Sequence, residues 1–343
     1  MYESFYGLTG KPFQLNPDPS FYFGSRGHKR AFAYLEYGLY QSEGFIVITG
    51  DIGAGKTTVV RSLLEQLDPA KVVAVQLVST QLDADDLLRA VGAAFGLPVR
   101  HVDKAILLAS LEAFLCQLSV DKKRALLVVD EAQNLPPRAI EELRMLSNFQ
   151  LGDQALLQSF LVGQPELRAM MQSPQLQQLR QRVIASYHLG PLDQSETKGY
   201  IEHRMKRVGW KEDPRFDEAC FDLIHATTGG VPRRINTLCN RTLLAAYLGE
   251  RHSISAGDVE AIAGEIREEL GPDAALSSVA VVGGAGTDRP ISARLDAATL
   301  QMHFDHLEAR IDRLEKTVSA AVDLLHRLLH PEKASKPTTP AAR

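Results

Sequence analysis

Between an apolar, β-branched run at residues 45–49 and a helix-favouring stretch at 56–67 stands Gly50-Asp51-Ile52-Gly53-Ala54-Gly55-Lys56-Thr57. This is the pattern G-x-x-x-x-G-K-[ST] in a strand-loop-helix context. Gly53 and Gly55 let the backbone curl until its N–H groups face phosphate oxygens, and the following helix adds its positive end. Lys56 is expected to reach the β and γ phosphates, the Thr57 hydroxyl to ligate Mg2+, and Thr58 to add a further phosphate contact. Residues 50–58 are therefore the candidate binding loop for a nucleoside triphosphate.

A strand-loop-helix unit needs further strands to bury it. Apolar runs recur at 72–78, 125–129, 160–162 and 183–189, with helix-like segments such as 84–95 and 106–118 between them. That alternation predicts an α/β fold with a central parallel sheet covered on both faces. From about residue 193 strand signals stop, and helices are expected at 193–208, 216–228, 232–248 and 256–270. The last is announced by Ser255 with Asp258 three residues on, a capping-box-like start. The expected layout is a P-loop domain at 1–192, with an N-terminal segment at 1–44, and a helical lid at 193–270. A Gly/Ala/Ser/Asp-rich flexible linker follows at 271–298, then a coiled coil at 299–330 and a disordered tail at 331–343. The coiled coil rests on Leu300, Phe304, Leu307, Ile311, Leu314, Val318, Ala321, Leu325 and Leu328, which alternate steps of four and three. Such a stripe needs a partner to cover it, either its own copy in another subunit or a different protein.

Phosphoryl transfer needs a metal ligand and a positioned water more than covalent help. The buried run at 125–129 ends in Asp130-Glu131; Asp130 is the candidate Mg2+ ligand and Glu131 the group that polarises the attacking water. Gln164, after the run at 160–162, stands where it can bond the γ phosphate or that water, though a polar strand end would look the same. Arg180 and Arg182, just before the run at 183–189, are candidates to reach a neighbouring subunit's γ phosphate; a helix-end arginine is the plainer reading of either. Arg233, in Gly230-Val231-Pro232-Arg233 at the start of a lid helix, is a candidate phosphate sensor. No N-K-x-D guanine-reading motif is present, so the expected nucleotide is ATP.

With 38 basic and 42 acidic residues, net charge is -4, and no overall electrostatic bias points to nucleic acid or anionic membrane. Local clusters remain: Arg204, Lys206, Arg207 and Lys211, and Lys122-Lys123-Arg124, so a DNA-binding regulator is kept as the alternative function. His303 and His306 lack a third ligand nearby and read as a solvated helix face. Cys116, Cys220 and Cys239 fit neither a metal site nor a disulfide framework and are expected to be small buried hydrophobes. No secretory leader and no apolar run of about 18 residues is visible in the sequence. The expected location is the cytoplasm, with any inner-membrane contact made through a partner.

Taken together, several stretches resemble the AAA+ ATPases related to general secretion pathway protein A, the ExeA-type family, over about residues 1–270. They are Tyr2-Glu3-Ser4-Phe5-Tyr6-Gly7-Leu8, Lys11-Pro12-Phe13, Asn16-Pro17-Asp18-Pro19, Ser25-Arg26-Gly27-His28, the phosphate loop, Val129-Asp130-Glu131-Ala132-Gln133, Val162-Gly163-Gln164-Pro165-Glu166-Leu167 and Gly230-Val231-Pro232-Arg233. Family members of the secretion type continue into a transmembrane helix and a peptidoglycan-binding region. Lacking both features, the chain looks more similar to the soluble branch associated with exosortase/PEP-CTERM systems and exopolysaccharide clusters. The resemblance implies ATP and Mg2+, oligomerisation through the ATPase domain, and work performed on a partner assembly.

Overall fold

A strand that is apolar at every position is satisfied only where both of its faces are covered. Phe45–Gly50 (β1) is apolar at 45–48 and ends in Thr49 and Gly50, and in the computed structural model, which describes residues 1–78 and 82–270, all of it is buried. Among the described residues β1 is joined by β2 (Val72–Val78), β3 (Arg124–Asp130), β4 (Leu157–Gly163) and β5 (Val183–Leu189). Every pairing in this sheet is parallel, and the order is β2-β3-β4-β1-β5. The chain thus adopts the α/β architecture that its alternating strands and helices predict. β4 is longer than its apolar run because Gln158 and Ser159 interrupt the run but not the strand. Gln158 is buried, its amide donating to the Gly38 carbonyl in α1 (Arg26–Gln41).

Alternation along each strand divides the side chains between two cores. Phe45 and Val47 point with Leu127, Val129 and Leu161 into one, which is covered by α3 (Ala84–Ala94), α4 (Lys104–Val120) and α5 (Pro137–Leu146). Ile46 and Ile48 point with Leu126, Val128, Phe160 and Val162 into the other, covered by α1 and by α2 (Lys56–Gln66). Cys116 packs at the edge of the first core, as a small hydrophobe would.

A third core belongs to the lid, built from α7 (Gln194–Arg207), α8 (Glu218–Thr228), α9 (Pro232–Leu248) and α10 (Ala256–Leu270), with α6 (Pro165–Met171) lying back in the sheet domain. Asp193 and Glu196 form a capping box at the start of α7. The Ser255 signal before α10 is realised: Asp258 Oδ2 accepts from the Ser255 N–H and Oγ, each at 2.8 Å. Cys220 and Cys239 are buried in this core, and burial pushes both thiols up, Cys220 to about 11. Two expectations need correction. Strand pairing does not end at residue 193, because Arg215–Phe216 pairs in parallel with Ser253–Ile254, a contact too short to leave a periodic signal. The first residues, grouped by chain order with the sheet, instead share the lid's core: Tyr2, Tyr6, Leu8 and Phe13 pack among Ile201, Met205, Ile235 and Leu238. Tyr2 donates to Asn240 Oδ1 at 2.7 Å and Tyr6 to the Arg251 carbonyl at 2.9 Å.

Arg204 carries a further correction. Named with Lys206, Arg207 and Lys211 as a local basic cluster open to a partner, it is 7% exposed. It donates to the carbonyls of Pro12 (2.6 Å) and Gln14 (3.2 Å) and to the Tyr200 hydroxyl (2.9 Å), with its guanidinium 4.8 Å from the Phe21 ring centroid. Lys206 of the same cluster is paired with Glu202 at 2.9 Å. The linker, coiled coil and tail expected at 271–343 lie outside the described residues, as do His303 and His306. Among the described residues no helix is long and apolar enough to cross a membrane.

Arg204→Ala removes three hydrogen bonds from a buried charge and is expected to lower stability by about 2–4 kcal/mol. Urea denaturation measures this, and amide exchange should quicken at residues 10–18; an unchanged midpoint would show that the clamp contributes nothing.

Candidate nucleotide site

β1 ends at Gly50, and after five intervening residues α2 begins at Lys56. In the turn between them Gly53 has φ +83° and Gly55 φ +99°, conformations that L side chains rarely adopt. Both positions are also crowded, since a Cβ on Gly53 would overlap Arg233 and one on Gly55 would lie 2.6 Å from His28 Nε2. Glycine is therefore required by the backbone and again by the neighbours. The turn brings Lys56 Nζ back along the loop, where it donates to the Gly50 carbonyl at 2.7 Å and the Asp51 carbonyl at 2.9 Å. Burial holds this ammonium below the usual lysine range, while Glu131 and Asp130 pull it upward.

The parallel sheet sets the acids beside the loop. The Thr57 hydroxyl donates to Asp130 Oδ2 at 2.9 Å. Burial pushes the Asp130 carboxyl up, and the Thr57 hydroxyl and the Glu131 N–H only partly oppose the shift. Glu131 has a left-handed backbone, φ +53°, which breaks the strand as Asp130 ends. Burial also raises the Glu131 carboxyl, but here the amides win: Gln133 and Gln164 donate to Oε2 at 2.6 and 3.0 Å, and with Lys56 they bring it below the usual glutamate range. Gln133 further accepts the Gln164 N–H at 3.0 Å, so the two glutamines brace each other. A Cβ on Gly163 would lie 2.7 Å from Gln133 Oε1, which is why glycine precedes Gln164.

One cavity opens on the loop and on Glu131. Ile52, Gly53, Gly55, Lys56, Thr57, Thr58 and Glu131 line it from the sheet domain, and Tyr200, Arg204, Pro232, Arg233 and Asn236 from the lid. The remaining wall is the N-terminal segment, including Asn16, Phe21, Tyr22 and Phe23. The Arg233 N–H donates to the Gly53 carbonyl at 3.2 Å, so the lid touches the loop directly. Arg180 and Arg182 are not brought to this site. They precede Val183, which pairs with Phe45 at the opposite end of β1 from Gly50, a separation of roughly 17–20 Å for a strand of this length. Arg180 is exposed, with Nη1 on the Met171 carbonyl at 3.2 Å, and Arg182 is half-buried on Ser147, with Oγ at 2.9 Å.

The residues present fit a hard divalent cation: Thr57 and Asp130 offer oxygen atoms 2.9 Å apart, and the buried carboxylate lacks full compensation. Sequence reasoning missed Gln133 and His28 as site residues. Their one signal was position inside the quoted motifs, two residues after Glu131 and three after Ser25.

Residues 39–171 match the family model described as AAA domain. Over 268 residues the chain is 39% identical to general secretion pathway protein A of Aeromonas hydrophila, a match covering 78% of this chain and 48% of that protein. The chain thus spans about half the length of this curated relative. Among solved structures, the Cdc6p of Pyrobaculum aerophilum superposes with a TM-score of 0.56 at 18% identity, covering 78% of this chain and 73% of that one. The Aeropyrum pernix ORC2 protein, in its ADPNP–ADP complexes, gives 0.54 at 19%, covering 70% and 66%. At such identities the likeness is one of fold, and the fold is that of the P-loop AAA+ ATPases.

The two acids titrate in opposite senses. Glu131 is lower in the folded chain, so its contribution is present above the ordinary glutamate value and is lost as pH falls through the lower one. Asp130 is higher, so the native state holds its proton more tightly than the unfolded chain and stability falls as pH rises through that window. Asp130→Asn is therefore expected to melt above the parent at neutral pH without nucleotide or metal, with the gain shrinking towards pH 4. A scan in which the parent is the more stable at neutral pH would contradict this.

Proposed function

From an AAA+ P-loop fold with this site, we propose that the chain binds ATP with Mg2+ and hydrolyses it. The observation that carries the reading is the Glu131 carboxylate, held ionised by two glutamine amides beside the Lys56 ammonium and the Thr57–Asp130 pair. The backbone of residues 50–58 cradles the phosphates. Lys56, already turned towards the loop, exchanges its carbonyl contacts for β and γ oxygens. Thr57 and Asp130 would hold Mg2+, which would supply charge neutralisation on the transferring group. Both amide bonds land on Glu131 Oε2, and we assign Oε1 to orient the attacking water. Gln164 reads the γ phosphate from the sheet, and Arg233 reads it from the lid.

Arg180 and Arg182 lie too far from their own loop to join it, which supports a site completed by a second subunit in an oligomer. Exposed Arg180 is the freer of the two to reach across. The heptads at 299–330 are assigned to the partner contact, through a copy of the chain or a membrane-associated export complex. Likeness to a secretion-pathway protein supports work on an export assembly, and we place exopolysaccharide export or PEP-CTERM protein sorting first, with the protein in the cytoplasm and at the inner membrane only through its partner. Burial of Arg204 removes one member of the first of the two basic clusters on which the DNA-dependent alternative rested.

Lys56→Ala is expected to abolish ATP binding, whereas Glu131→Gln should bind ATP normally and turn it over at least about 100-fold more slowly. Calorimetry and phosphate release measure the two, and ordinary turnover in both would sink the mechanism. Strong, salt-sensitive stimulation of turnover by duplex DNA would favour the alternative. An Arg180→Ala chain mixed with a Lys56→Ala chain should regain part of the activity that each lacks. No rescue at any ratio would count against a shared site.

A further inference from the structure

One turn of α1 touches both sides of the nucleotide cavity. Ser25 caps the helix, its Oγ accepting the His28 N–H at 3.2 Å, and the same Oγ lies 2.7 Å from His28 Nδ1. The ring is 6% exposed and its Nε2 lies against the phosphate loop, 2.6 Å from where a Cβ on Gly55 would stand, with the Ala54 carbonyl beside it as an acceptor. A carbonyl accepts only, so the tautomer that serves it carries the proton on Nε2 and leaves Nδ1 to accept from Ser25 Oγ. Burial pushes the imidazole below its usual value, and the ring is neutral at pH 7. Ala54 C=O and Gly55 N–H belong to one planar trans peptide and point in opposite directions. A donor that fixes the carbonyl therefore fixes the direction of the N–H. On the same turn the Arg26 N–H donates to Glu196 Oε1 at 2.8 Å and its guanidinium bonds Asp193 and Glu196, the two residues of the capping box that starts the lid.

We propose that His28 is a positioning residue of the phosphate loop, aiming the Gly55 N–H by holding the Ala54 carbonyl, and that Arg26 links this setting to the start of the lid. The role rests on the ATP-binding reading above. His28 touches no reacting atom; it acts through the loop, so its loss should affect binding more than the chemical step.

The test compares His28→Leu, which fills the space without a donor, His28→Gln, which keeps an uncharged donor, and Arg26→Ala at a side chain that is 82% exposed. Calorimetry with a non-hydrolysable ATP analogue and Mg2+ gives Kd, and steady-state turnover gives KM and kcat. His28→Leu is expected to raise Kd and KM about tenfold with a smaller change in kcat, and His28→Gln to stay within about threefold of the parent. Arg26→Ala should weaken binding in the parent and have no further effect beside His28→Leu. Parent affinity in His28→Leu, or equal losses in Leu and Gln, would overturn the positioning role; additive losses in the double variant would overturn the link. If His28→Leu does not fold, Ser25→Ala decides, because it frees the imidazole, and unchanged affinity there overturns the proposal. A parent that fails to bind the analogue refutes the ATP reading instead.

Discussion

Lys56 carries a positive charge to a place where it is 5% exposed. An ammonium taken from water without partners costs several kcal/mol, so such a lysine exists only where carbonyls and carboxylates are arranged for it in advance. Here the carbonyls come from its own loop and the carboxylates from the end of β3. Lys56 thus faces two acids, Asp130 and Glu131, whose environments differ. Burial raises both carboxyls; Asp130 keeps that cost, and Glu131 escapes it through its amide donors. The same arrangement leaves room for further positive charge beside Asp130 and keeps Glu131 ionised where a water can use it.

These groups meet because the sheet is parallel and in register. Thr49 at the end of β1 lies opposite Gly163 at the end of β4, and Leu77 and Val78 of β2 lie opposite Val129 and Asp130. The loop, the acids and Gln164 therefore emerge from one edge, at the end where ligands of open α/β sheets collect. The two glutamines convert that shared edge into fixed geometry. Each holds the other as well as Glu131, so the carboxylate is oriented by groups from β4 and from the turn after β3 at once.

What was legible in the sequence was local and chemically narrow. The loop could be read because its geometry demands glycine, lysine and threonine at fixed spacing, and β2 and β5 because apolar runs bounded by polar turns leave few choices. Gln133 was hidden because the bond that matters joins it to Gln164, 31 positions away. His28 looked like part of an ordinary helix start, since nothing in its own segment says that the phosphate loop will pack on it. Arg204 was misjudged for the same reason: charge is visible in a sequence, but the carbonyls of Pro12 and Gln14 that bury it are nearly two hundred residues away. Tyr200, four residues earlier on the same helix face, was the available hint.

The sharing of the lid's core by the first residues has a consequence for how the chain is made. Tyr2 and Tyr6 bond to residues about 240 positions downstream. At a synthesis rate of about 5–20 residues per second, Tyr2 waits roughly 10–50 s for Asn240. During that interval the aromatic segment has left the ribosome without its permanent neighbours, while the β-sheet already has most of its strands. The part of the cavity wall that Phe21 and Phe23 provide is thus completed only once the lid has been made, and these apolar residues stay open to a chaperone until then.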